Sequence, residues 1–397
     1  MGKRPSEFHL KQLLADCASD LGLECLGITS AVPFLRAEQV AIERLDKGLM
    51  GILPWYTQER VRRGTHPEEL LSGARSIISI AVNYLPETGE GIVGCRGGIM
   101  TRTKGRVARY AWGRDYHNVL KKRLRHLMQR FGEISGLAFR FKVYVDDGPM
   151  IDREVAWRAG VGFYGKNTNV LTGIGSWVLL GQVITDLDLE HDQPNDKSCG
   201  TCVACIPACP TGAIVDPYVI DSNRCISYLT IENRGEIAPE LRPLLGDWVF
   251  GCDICQEVCP VNKVREIITN ESAFNPEEPA RALDLGEILE FDEDQFREKF
   301  RGSPIRRATL IGLQRNACVV LGNSGDRNVV PLLVKALNMD ASMVRRHAAW
   351  ALGRLGGEAA FKALADAWEN EPDDLVVNEI RLAFHQEDNA SGRELTG

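Results

Sequence analysis

The chain has 397 residues, of which 44% are hydrophobic and 25% are charged, and its formal net charge is −7 at pH 7. This composition is typical of an ordinary soluble globular protein, and no run of about eighteen uncharged apolar residues indicates a transmembrane helix. The length exceeds what one hydrophobic core usually fills, so we expect two or three domains. No apolar leader follows Met1. We therefore expect a cytoplasmic protein that does not bind membranes.

The first 192 residues predict helices and strands in alternation. Amphipathic patterns indicate helices over 6–21, 37–47 and 119–131. Runs rich in β-branched and aromatic residues indicate strands over 24–28, 76–82, 139–145 and 177–184. Such alternation is typical of an α/β domain, which we expect to end near Asp192 at a polar, turn-rich segment.

A turn with two carboxylates follows the strand predicted over 139–145. It reads Asp146-Asp147-Gly148-Pro149 and precedes a helix predicted over 150–159. A carboxylate at the carboxyl end of a strand in an open α/β sheet lies where such sheets bind ligands, so Asp146 is a candidate proton donor. The residues alone favour equally an aspartate that only forms the turn or caps the helix.

The glycine-rich segment after this helix resembles two nucleotide-binding motifs. Residues 160–165 fit G-x-G-x-x-G, and Lys166 nearly completes a Walker A loop. Both motifs require a preceding strand, whereas a helix is predicted here, and Asn167 stands where Ser or Thr would hold magnesium. We interpret the glycines as residues that end the helix and let the backbone approach a bulky ligand.

Eight of the twelve cysteines lie between positions 199 and 259. In a chain without an export signal, this favours metal or redox chemistry over a disulfide framework. Cys199, Cys202, Cys205 and Cys209, followed by Pro210, form the C-x2-C-x2-C-x3-C-P run of bacterial ferredoxins, whose fourth thiolate ligates the other cluster.

A second group completes two clusters. Cys252, Cys255 and Cys259 precede Pro260, and Cys225 restores the count to eight. We assign one [4Fe–4S] cluster to Cys199, Cys202, Cys205 and Cys259, and the other to Cys209, Cys225, Cys252 and Cys255. The alternative is structural zinc, which C-x2-C pairs also bind but which does not need two interleaved Cys-Pro endings. The scattered Cys17, Cys25, Cys95 and Cys318 indicate small core or surface residues.

The C-terminal part repeats itself. RNACVVLGNSG from Arg315 recurs as RHAAWALGRLGG from Arg346, an offset of thirty-one residues, and Leu333 and Leu337 return as Leu364 and Trp368. This period is similar to that of HEAT-like helical repeats, which bind rather than catalyse. A helical pack that only supports the rest of the protein remains an alternative.

A basic run suggests an anionic partner. Between positions 96 and 130 there are eleven lysines or arginines, against the acidic residue Asp115, although the chain as a whole is acidic. Such a reversal of charge favours a partner such as a nucleic acid.

Several landmarks together resemble the epoxyqueuosine reductase family. They are ARYAWGRDYH from Ala108, the block from VDDGPMIDRE to GKNT, the double cluster with a displaced cysteine, CISYLTIE from Cys225, and the helical repeats. The resemblance covers nearly the whole chain. It implies an oxidoreductase that uses cobalamin and two [4Fe–4S] clusters to reduce the epoxide of epoxyqueuosine to queuosine at the tRNA wobble position. Cobalamin enters through the resemblance alone.

The resemblance also implies roles for individual residues. Asp146 matches the family's proton donor. The positions that match cobalamin or pocket contacts are Arg109, Asp146, Arg153, Lys166, Asn167, Ser227 and Thr230. Asp147 stands where the family commonly has Thr or Ser, so a second carboxylate could share the proton-donor role.

The expected architecture is an α+β/α multidomain protein. We predict an α/β cobalamin-binding catalytic domain over 1–192, a ferredoxin-type double-cluster domain over 193–270, and HEAT-like α-helical repeats over 271–397. The expected partners are a tRNA with a queuosine-type anticodon and a low-potential electron donor, bound by a monomer. A tRNA would explain the basic run and also Arg306, Arg307, Arg345 and Arg346, since phosphate contacts dominate affinity.

Two other functions are compatible with the clusters. A ferredoxin-like electron carrier would need no α/β domain of about two hundred residues, and cobalamin binding discriminates against it. A relative of the corrinoid reductive dehalogenases would usually carry a twin-arginine export signal, and it has no reason for helical repeats or a basic face.

Overall fold

The computed structural model describes residues 7–23, 25–87, 103–264, 267–275 and 281–391. Three predicted features lie outside these ranges: position 24, where the first strand was expected to begin; Cys95; and the start of the basic run, before residue 103. Among the described residues, no helix combines the length and the apolar character needed to cross a membrane.

The helices and strands are as follows. The helices are α1 (Glu7–Asp20), α2 (Leu35–Asp46), α3 (Gln58–Thr65), α4 (Pro67–Leu70), α5 (Tyr116–Ser135), α6 (Asp152–Arg158), α7 (Cys205–Ala208), α8 (Ile226–Ile231), α9 (Ile254–Glu257), α10 (Pro260–Val264), α11 (Leu285–Glu290), α12 (Glu293–Lys299), α13 (Leu310–Asn323), α14 (Val330–Leu337), α15 (Ser342–Leu355), α16 (Glu358–Trp368) and α17 (Asp374–Ser391). The strands are β1 (Cys25–Ser30), β2 (Ser76–Asn83), β3 (Lys104–Val107), β4 (Phe141–Tyr144), β5 (Gly162–Tyr164), β6 (Val170–Thr172), β7 (Val178–Thr185), β8 (Ile214–Asp216), β9 (Val219–Ile220), β10 (Trp248–Phe250) and β11 (Ala282–Asp284).

The first compact unit comprises Met1–Thr88, Gly113–Asn223 and Ile254–Asn275. Its main sheet has the strand order β1-β2-β7-β4, and every neighbouring pair is antiparallel. The four strands expected in this region are confirmed within a few residues. The antiparallel pairing is a finding of the structure, because helix–strand alternation does not fix strand direction when the connections are long.

Individual residues determine where the helices of the first unit begin, end and pack against this sheet. α5 begins at Asp115, whose side chain accepts from the His117 backbone N–H at 3.0 Å, and ends at Gly136 in the left-handed conformation with φ of 65°. α6 approaches β1 so closely that a Cβ on Gly27 would lie 2.0 Å from the Ala159 carbonyl oxygen. Only glycine fits at that crossing, which fixes α6 and the loop before it against the sheet.

The second compact unit comprises Gly89–Trp112, Arg224–Asp253 and Pro276–Gly397. A small sheet of order β10-β3-β11 has β10 parallel and β11 antiparallel to β3. Besides α8, this unit contains the helices α11 to α17, which include the predicted repeat. The helices α13 with α14 and α15 with α16 are successive pairs, and α17 packs on α15. The three-segment division at positions 192 and 270 stays a prediction, since each unit combines stretches distant in sequence.

Two glycines explain why the repeat motif recurs. A Cβ on Gly322 would lie 2.8 Å from the Cβ of Ala351, and one on Gly353 would lie 2.4 Å from the Cβ of Ala383. These equivalent positions, thirty-one residues apart, are where α13 crosses α15 and α15 crosses α17. The motif therefore encodes close helix crossings, while Gly356, with φ of 63°, follows the end of α15.

Candidate active site and cluster-binding segments

The loop between β4 and α6 carries the predicted proton donor. Asp146 has φ of 50°, in the left-handed region that few non-glycine residues adopt. Its carboxylate is exposed and accepts a hydrogen bond of 2.6 Å from the Tyr116 hydroxyl. Tyr116 is itself buried at the start of α5 and stacks on His117, with ring centroids 4.1 Å apart. Tyr116 on α5 thus orients the exposed carboxylate of Asp146.

Asp147 has a different role from its neighbour. It forms an ion pair with Lys121 and accepts from the Val145 backbone N–H at 3.1 Å. Burial raises the pKa of Asp147, but the hydrogen bonds from Lys121 and Val145 outweigh it and hold the pKa below its usual range. A carboxylate that is stabilised in its ionised form is a weaker candidate for a proton donor, and the shared role of Asp147 stays a prediction.

Arg153 lies on α6 beside a cavity of about 480 Å³. Its guanidinium donates to the Thr168 carbonyl at 2.9 Å. The lining includes the cations Arg36, Arg44, Arg153 and Lys197, the rings of Tyr56, Trp157, Tyr164 and Tyr218, and the acids Glu154 and Asp196. Burial, followed by repulsion from Arg153, lowers the pKa of Arg44. Facing cations among aromatic rings suit an aromatic group that carries a phosphate.

Lys166 and Asn167 contact the segments that carry the cysteines. The Lys166 ammonium donates to the Gly200 carbonyl at 2.8 Å, and the Asn167 amide donates to the Cys255 carbonyl at 3.3 Å. Gly160, with φ of 74°, follows the end of α6, as expected for a glycine that ends a helix. The block GKNT therefore holds two cysteine loops of the first unit in place.

Arg109 is buried in an ion pair within the second unit. Its guanidinium and its backbone N–H both donate to Asp253 Oδ2, each at 2.9 Å, and both side chains are almost fully buried. Asp253 follows the proposed ligand Cys252 directly. Sequence reasoning missed Asp253, although an acid beside a cysteine ligand is a detectable signal for such a partner.

Thr230 and Ser227 lie on α8, which follows Cys225. The buried Thr230 hydroxyl donates to the Ile226 carbonyl at 2.7 Å and accepts from the Gly251 backbone N–H at 2.9 Å. This links the segment after Cys225 to the residue before Cys252. Ser227 is half-buried on the same helix. Thr230 thus positions both cysteine loops of the second unit.

Four cysteines of the first unit act on one another electrostatically. Burial raises the pKa of Cys205, and the charges of Cys199, Cys259 and Cys202 raise it further. Burial raises the pKa of Cys259 as well, again with contributions from Cys199 and Cys202. These four are the set predicted for the first cluster, and their mutual repulsion indicates that they lie close together.

The other cysteines divide into two groups. Cys209 Sγ accepts from the Ala213 backbone N–H at 3.3 Å, and Cys255 Sγ accepts from the Asn169 amide at 3.9 Å. Hydrogen bonds of this kind tune a thiolate cluster. By contrast, burial raises the pKa of Cys25 to about 11 and raises that of Cys318, which makes both inert. In the described ranges, no three His, Cys, Asp or Glu side chains are grouped to hold a single metal ion.

The structure distinguishes bound from exposed cations in the basic run. In the first unit, Arg123 pairs with Glu271 and Arg130 with Asp20. In the second unit, Arg106 pairs with Asp247. The exposed cations of the run include Arg114, Lys122 and Arg125.

The repeat arginines are less available than expected. Arg345 pairs with Glu371, and Arg346 pairs with Glu236 and Glu379; the two arginine side chains are only 12% and 15% exposed. Arg307 pairs with Glu232. Arg306 is exposed, so it is the cation of this group that is placed to meet a phosphate.

Three stretches of the chain match known families. Residues 64–147 match the family described as Epoxyqueuosine reductase QueG, DUF1730. Residues 198–262 match a 4Fe-4S double cluster binding domain, and residues 306–384 match HEAT repeats. The match over 198–262 favours iron–sulfur clusters over zinc, and the match over 306–384 confirms the helical repeats.

Curated relatives match most of the chain. The Epoxyqueuosine reductase of Salmonella typhimurium is 38% identical over 348 residues, which are 87% of this chain and 88% of the relative. That of Pseudomonas aeruginosa is 38% identical over 357 residues, 89% of this chain and 96% of the relative.

Solved structures agree over nearly the whole length. A crystal structure of epoxyqueuosine reductase with an epoxyqueuosine-modified stem loop of tyrosine tRNA has a TM-score of 0.87 and 32% identity, covering 96% of this chain and 99% of that one. An epoxyqueuosine reductase from Bacillus subtilis, whose catalytic aspartate loop is swung out of the active site, has a TM-score of 0.86 and 32% identity, covering 96% of this chain and all of that one.

Proposed function

Because this chain belongs to the epoxyqueuosine reductase family, which reduces epoxyqueuosine in tRNA to queuosine, we propose that Asp146 donates one of the protons that the reaction requires. Reduction of an epoxide to a carbon–carbon double bond consumes two electrons and two protons, and the oxygen leaves as water. Asp146 fits this role because it is exposed, is oriented by the Tyr116 hydroxyl at 2.6 Å, and lies on a loop like the catalytic aspartate loop of the Bacillus subtilis relative. The Tyr116–Asp146 contact is the observation that carries the proposal.

The electrons pass through two [4Fe–4S] clusters. For the first we propose the ligands Cys199, Cys202, Cys205 and Cys259, supported by the mutual repulsion of their thiolates. For the second we propose Cys209, Cys225, Cys252 and Cys255, supported by the ferredoxin spacing. A low-potential electron donor must supply these clusters, since two clusters store electrons but do not generate them.

Cobalamin is the proposed acceptor of those electrons. When bound, it would supply a cobalt centre that takes up electrons singly and reduces the epoxide. The cavity beside α6 fits part of this cofactor, because cobalamin carries an aromatic base and a phosphate. Arg153, Arg44 and Lys197 would neutralise the phosphate, and the ring of Tyr164 or Trp157 would lie against the base.

The other positions matched by resemblance are proposed to hold the segments that carry the cluster ligands. Lys166 and Asn167 hold cysteine loops, and Arg109 and Thr230 do the same in the second unit. We propose that these four fix the cluster ligands and that any contact they make with the corrin is secondary. Ser227, half-buried on the same helix as Thr230, is the residue whose hydroxyl is proposed to contact the cofactor.

The tRNA substrate requires cationic surface. We propose that Arg114, Lys122 and Arg125 contact the backbone of the anticodon arm, since these side chains are exposed. The wobble base would be turned out of its stack and bound near Asp146.

The decisive experiment measures queuosine formation. Cluster-replete protein is incubated anaerobically with cobalamin, a low-potential reductant and tRNA bearing epoxyqueuosine, and the digested nucleosides are quantified by mass spectrometry. Asp146→Asn should retain cobalamin and iron but lose turnover by about 10²- to 10⁴-fold, because an amide has no proton to donate.

The matched control is Asp147→Asn. It alters the neighbouring carboxylate, which is paired with Lys121, and should slow turnover by less than about tenfold. If Asp146→Asn turned over as fast as the unmodified protein, Asp146 would be removed from the proposed chemistry. Equal losses in the two variants would instead indicate that the loop was disturbed.

A further inference from the structure

The turn that carries Asp146 is bound by two helices. At its start, the Asp146 carboxylate accepts a hydrogen bond from the Tyr116 hydroxyl on α5. At its end, the Gly148 carbonyl accepts a hydrogen bond of 2.6 Å from the Arg60 guanidinium on α3. The position of Asp146 therefore depends on α3 as well as on α5.

Two glycines bring α3 and the turn into close contact. Gly64 follows Arg60 by four residues, so both lie on the same face of α3. A Cβ on Gly64 would collide with the Pro149 carbonyl, and a Cβ on Gly148 would collide with the Tyr144 ring. Only glycine fits at these two positions, so close packing keeps the turn within hydrogen-bonding distance of Arg60.

Arg60 is held in one orientation by its neighbours in the chain. Its backbone N–H donates to the hydroxyl of Thr57, the N-cap of α3, at 3.2 Å. Its guanidinium lies over the Trp55 ring, 4.7 Å from the ring centroid. Stacking uses the face of the guanidinium and leaves its N–H edge to donate to a carbonyl, a combination that the ammonium group of lysine does not provide.

The backbone of Asp146 requires such support. Its φ of 50° lies in a region that costs free energy for a residue other than glycine and that persists only where surrounding contacts impose it. A turn released from α3 would relax, and the carboxyl group would move from its place. A displacement of about 1 Å can slow a reaction about 10²-fold.

We propose that Arg60 is a positioning residue: its guanidinium, held by the Trp55 ring, fixes the turn at Gly148 and thereby the carboxyl group of Asp146. The inference rests on the proposed role of Asp146. Arg60 transfers no proton itself; it raises the fraction of molecules in which Asp146 is in place. Its loss should therefore lower kcat and leave the KM for tRNA and the affinity for cobalamin nearly unchanged.

The queuosine assay with Arg60→Ala tests this prediction. Its kcat should fall about 10- to 100-fold. Guanidinium ion, at concentrations too low to unfold the protein, should restore part of the activity because it can occupy the place of the missing group. Sodium chloride at equal ionic strength should not. Trp55→Ala should lower kcat about two- to fivefold, and Trp55→Phe should lower it less because a ring remains.

The matched control is Arg62→Ala. This arginine lies on the same helix but pairs with Glu69, so its variant should keep the unmodified kcat and show no response to guanidinium. An unmodified kcat in Arg60→Ala would overturn the proposal. So would an increase in KM alone, which would make Arg60 a contact to tRNA, or equal rescue by sodium chloride.

Hydrogen exchange measured by mass spectrometry separates this proposal from the one on Asp146, since it needs neither tRNA nor turnover. The peptide over 144–151 should exchange faster in Arg60→Ala than in the unmodified protein, and at the unmodified rate in Arg62→Ala. Full activity of Asp146→Asn would remove the proton donor, yet faster exchange in Arg60→Ala would still show that Arg60 holds the turn. Unchanged exchange in Arg60→Ala would exclude the positioning role, whatever the activity of Asp146→Asn.

Discussion

His347 shows how a single buried side chain makes the repeats sensitive to pH. It is fully buried on α15, accepts from the Ile237 backbone N–H at 3.2 Å and bonds the Met343 carbonyl at 2.8 Å. These contacts assign the proton of the neutral ring to Nδ1, since Nε2 accepts. Burial lowers the pKa of His347 well below its usual value, and the charges of Arg242 and Arg315 add to this. The native state therefore requires the neutral imidazole.

Acid should destabilise the protein through this residue. The folded-state pKa is depressed, so the unfolded chain binds a proton first, and the contribution of His347 to stability is lost as pH falls below about 6.5. The slope should reach at most about 1.4 kcal/mol per pH unit. Urea midpoints of anaerobic protein measured from pH 8 to 5 would show it. His347→Gln should flatten the dependence, while the exposed His385→Gln should preserve it.

At the same scale, the sequence identified the chemistry of side chains better than their partners. The cysteine spacing was apparent from the chain itself, whereas the residues alone left Asp146 open between a proton donor and a turn residue. The Tyr116 contact with Asp146 spans thirty residues, and the Lys121 pair with Asp147 spans twenty-six. Such pairs depend on how α5 lies against β4, and no local pattern encodes that. The same reason explains why Arg345 and Arg346, which the sequence predicted to be surface cations, form salt bridges with glutamates.

Among the helices, the crossings at Gly322 and Gly353 determine how the repeats stack. Gly353→Ala would place a Cβ 2.4 Å from that of Ala383, so α15 and α17 must separate. We expect a loss of about 1–3 kcal/mol in the free energy of unfolding, despite the better helix propensity of alanine. Urea denaturation followed by circular dichroism would measure it.

The control for this substitution is Gly312→Ala on α13. The nearest atom to a Cβ there is the Thr309 hydroxyl oxygen at 3.4 Å, an ordinary contact, so this variant should be neutral or slightly more stable. Equal effects at the two positions would mean that the crossing at Gly353 tolerates a wider separation than its geometry indicates.

The positions of the strands in the chain were predictable, but the order and direction in which they pair were not. The strand β2 is buried along its whole length and is mostly apolar and rich in β-branched residues, so its existence follows from composition. Its neighbours β1 and β7 are antiparallel to it, and β7 is about a hundred residues distant in the chain. Strand order and direction arise from long-range packing, which periodicity does not report.

For the whole molecule, the salt dependence of tRNA binding should identify the cationic surface. Replacing both Lys122 and Arg125 with Gln should reduce the slope of log affinity against log salt by about 0.7–0.9 for each phosphate that the protein no longer neutralises. Fluorescence anisotropy with a labelled anticodon stem loop between low and high salt would measure it. The control Lys335→Gln removes a cation that is exposed but paired with Glu290, and should leave the slope unchanged.

Removal of the repeats would affect more than the cationic surface. Arg315 is buried and donates to the carbonyls of Asn233 and Leu229 at 2.8 and 2.6 Å, while the Asn316 amide donates to those of Thr230 and Val249 at 2.8 and 2.9 Å. Deleting residues after about 305 would break these bonds within the second unit. Weaker tRNA binding in such a truncation would therefore report a disrupted fold as well as missing cations.

The buried contacts of the repeat residues predict the effect of mutations that truncate the chain. Arg315 and Asn316 in the first repeat, and Arg346 and His347 thirty-one residues later, all bond the stretch between Cys225 and Cys252. The repeats thus hold in place the segment between Cys225 and Cys252, two of the proposed cluster ligands. A stop codon between α12 and α15 would leave every proposed cysteine ligand in the reading frame, yet we expect the shortened protein to bind less iron than the full-length protein.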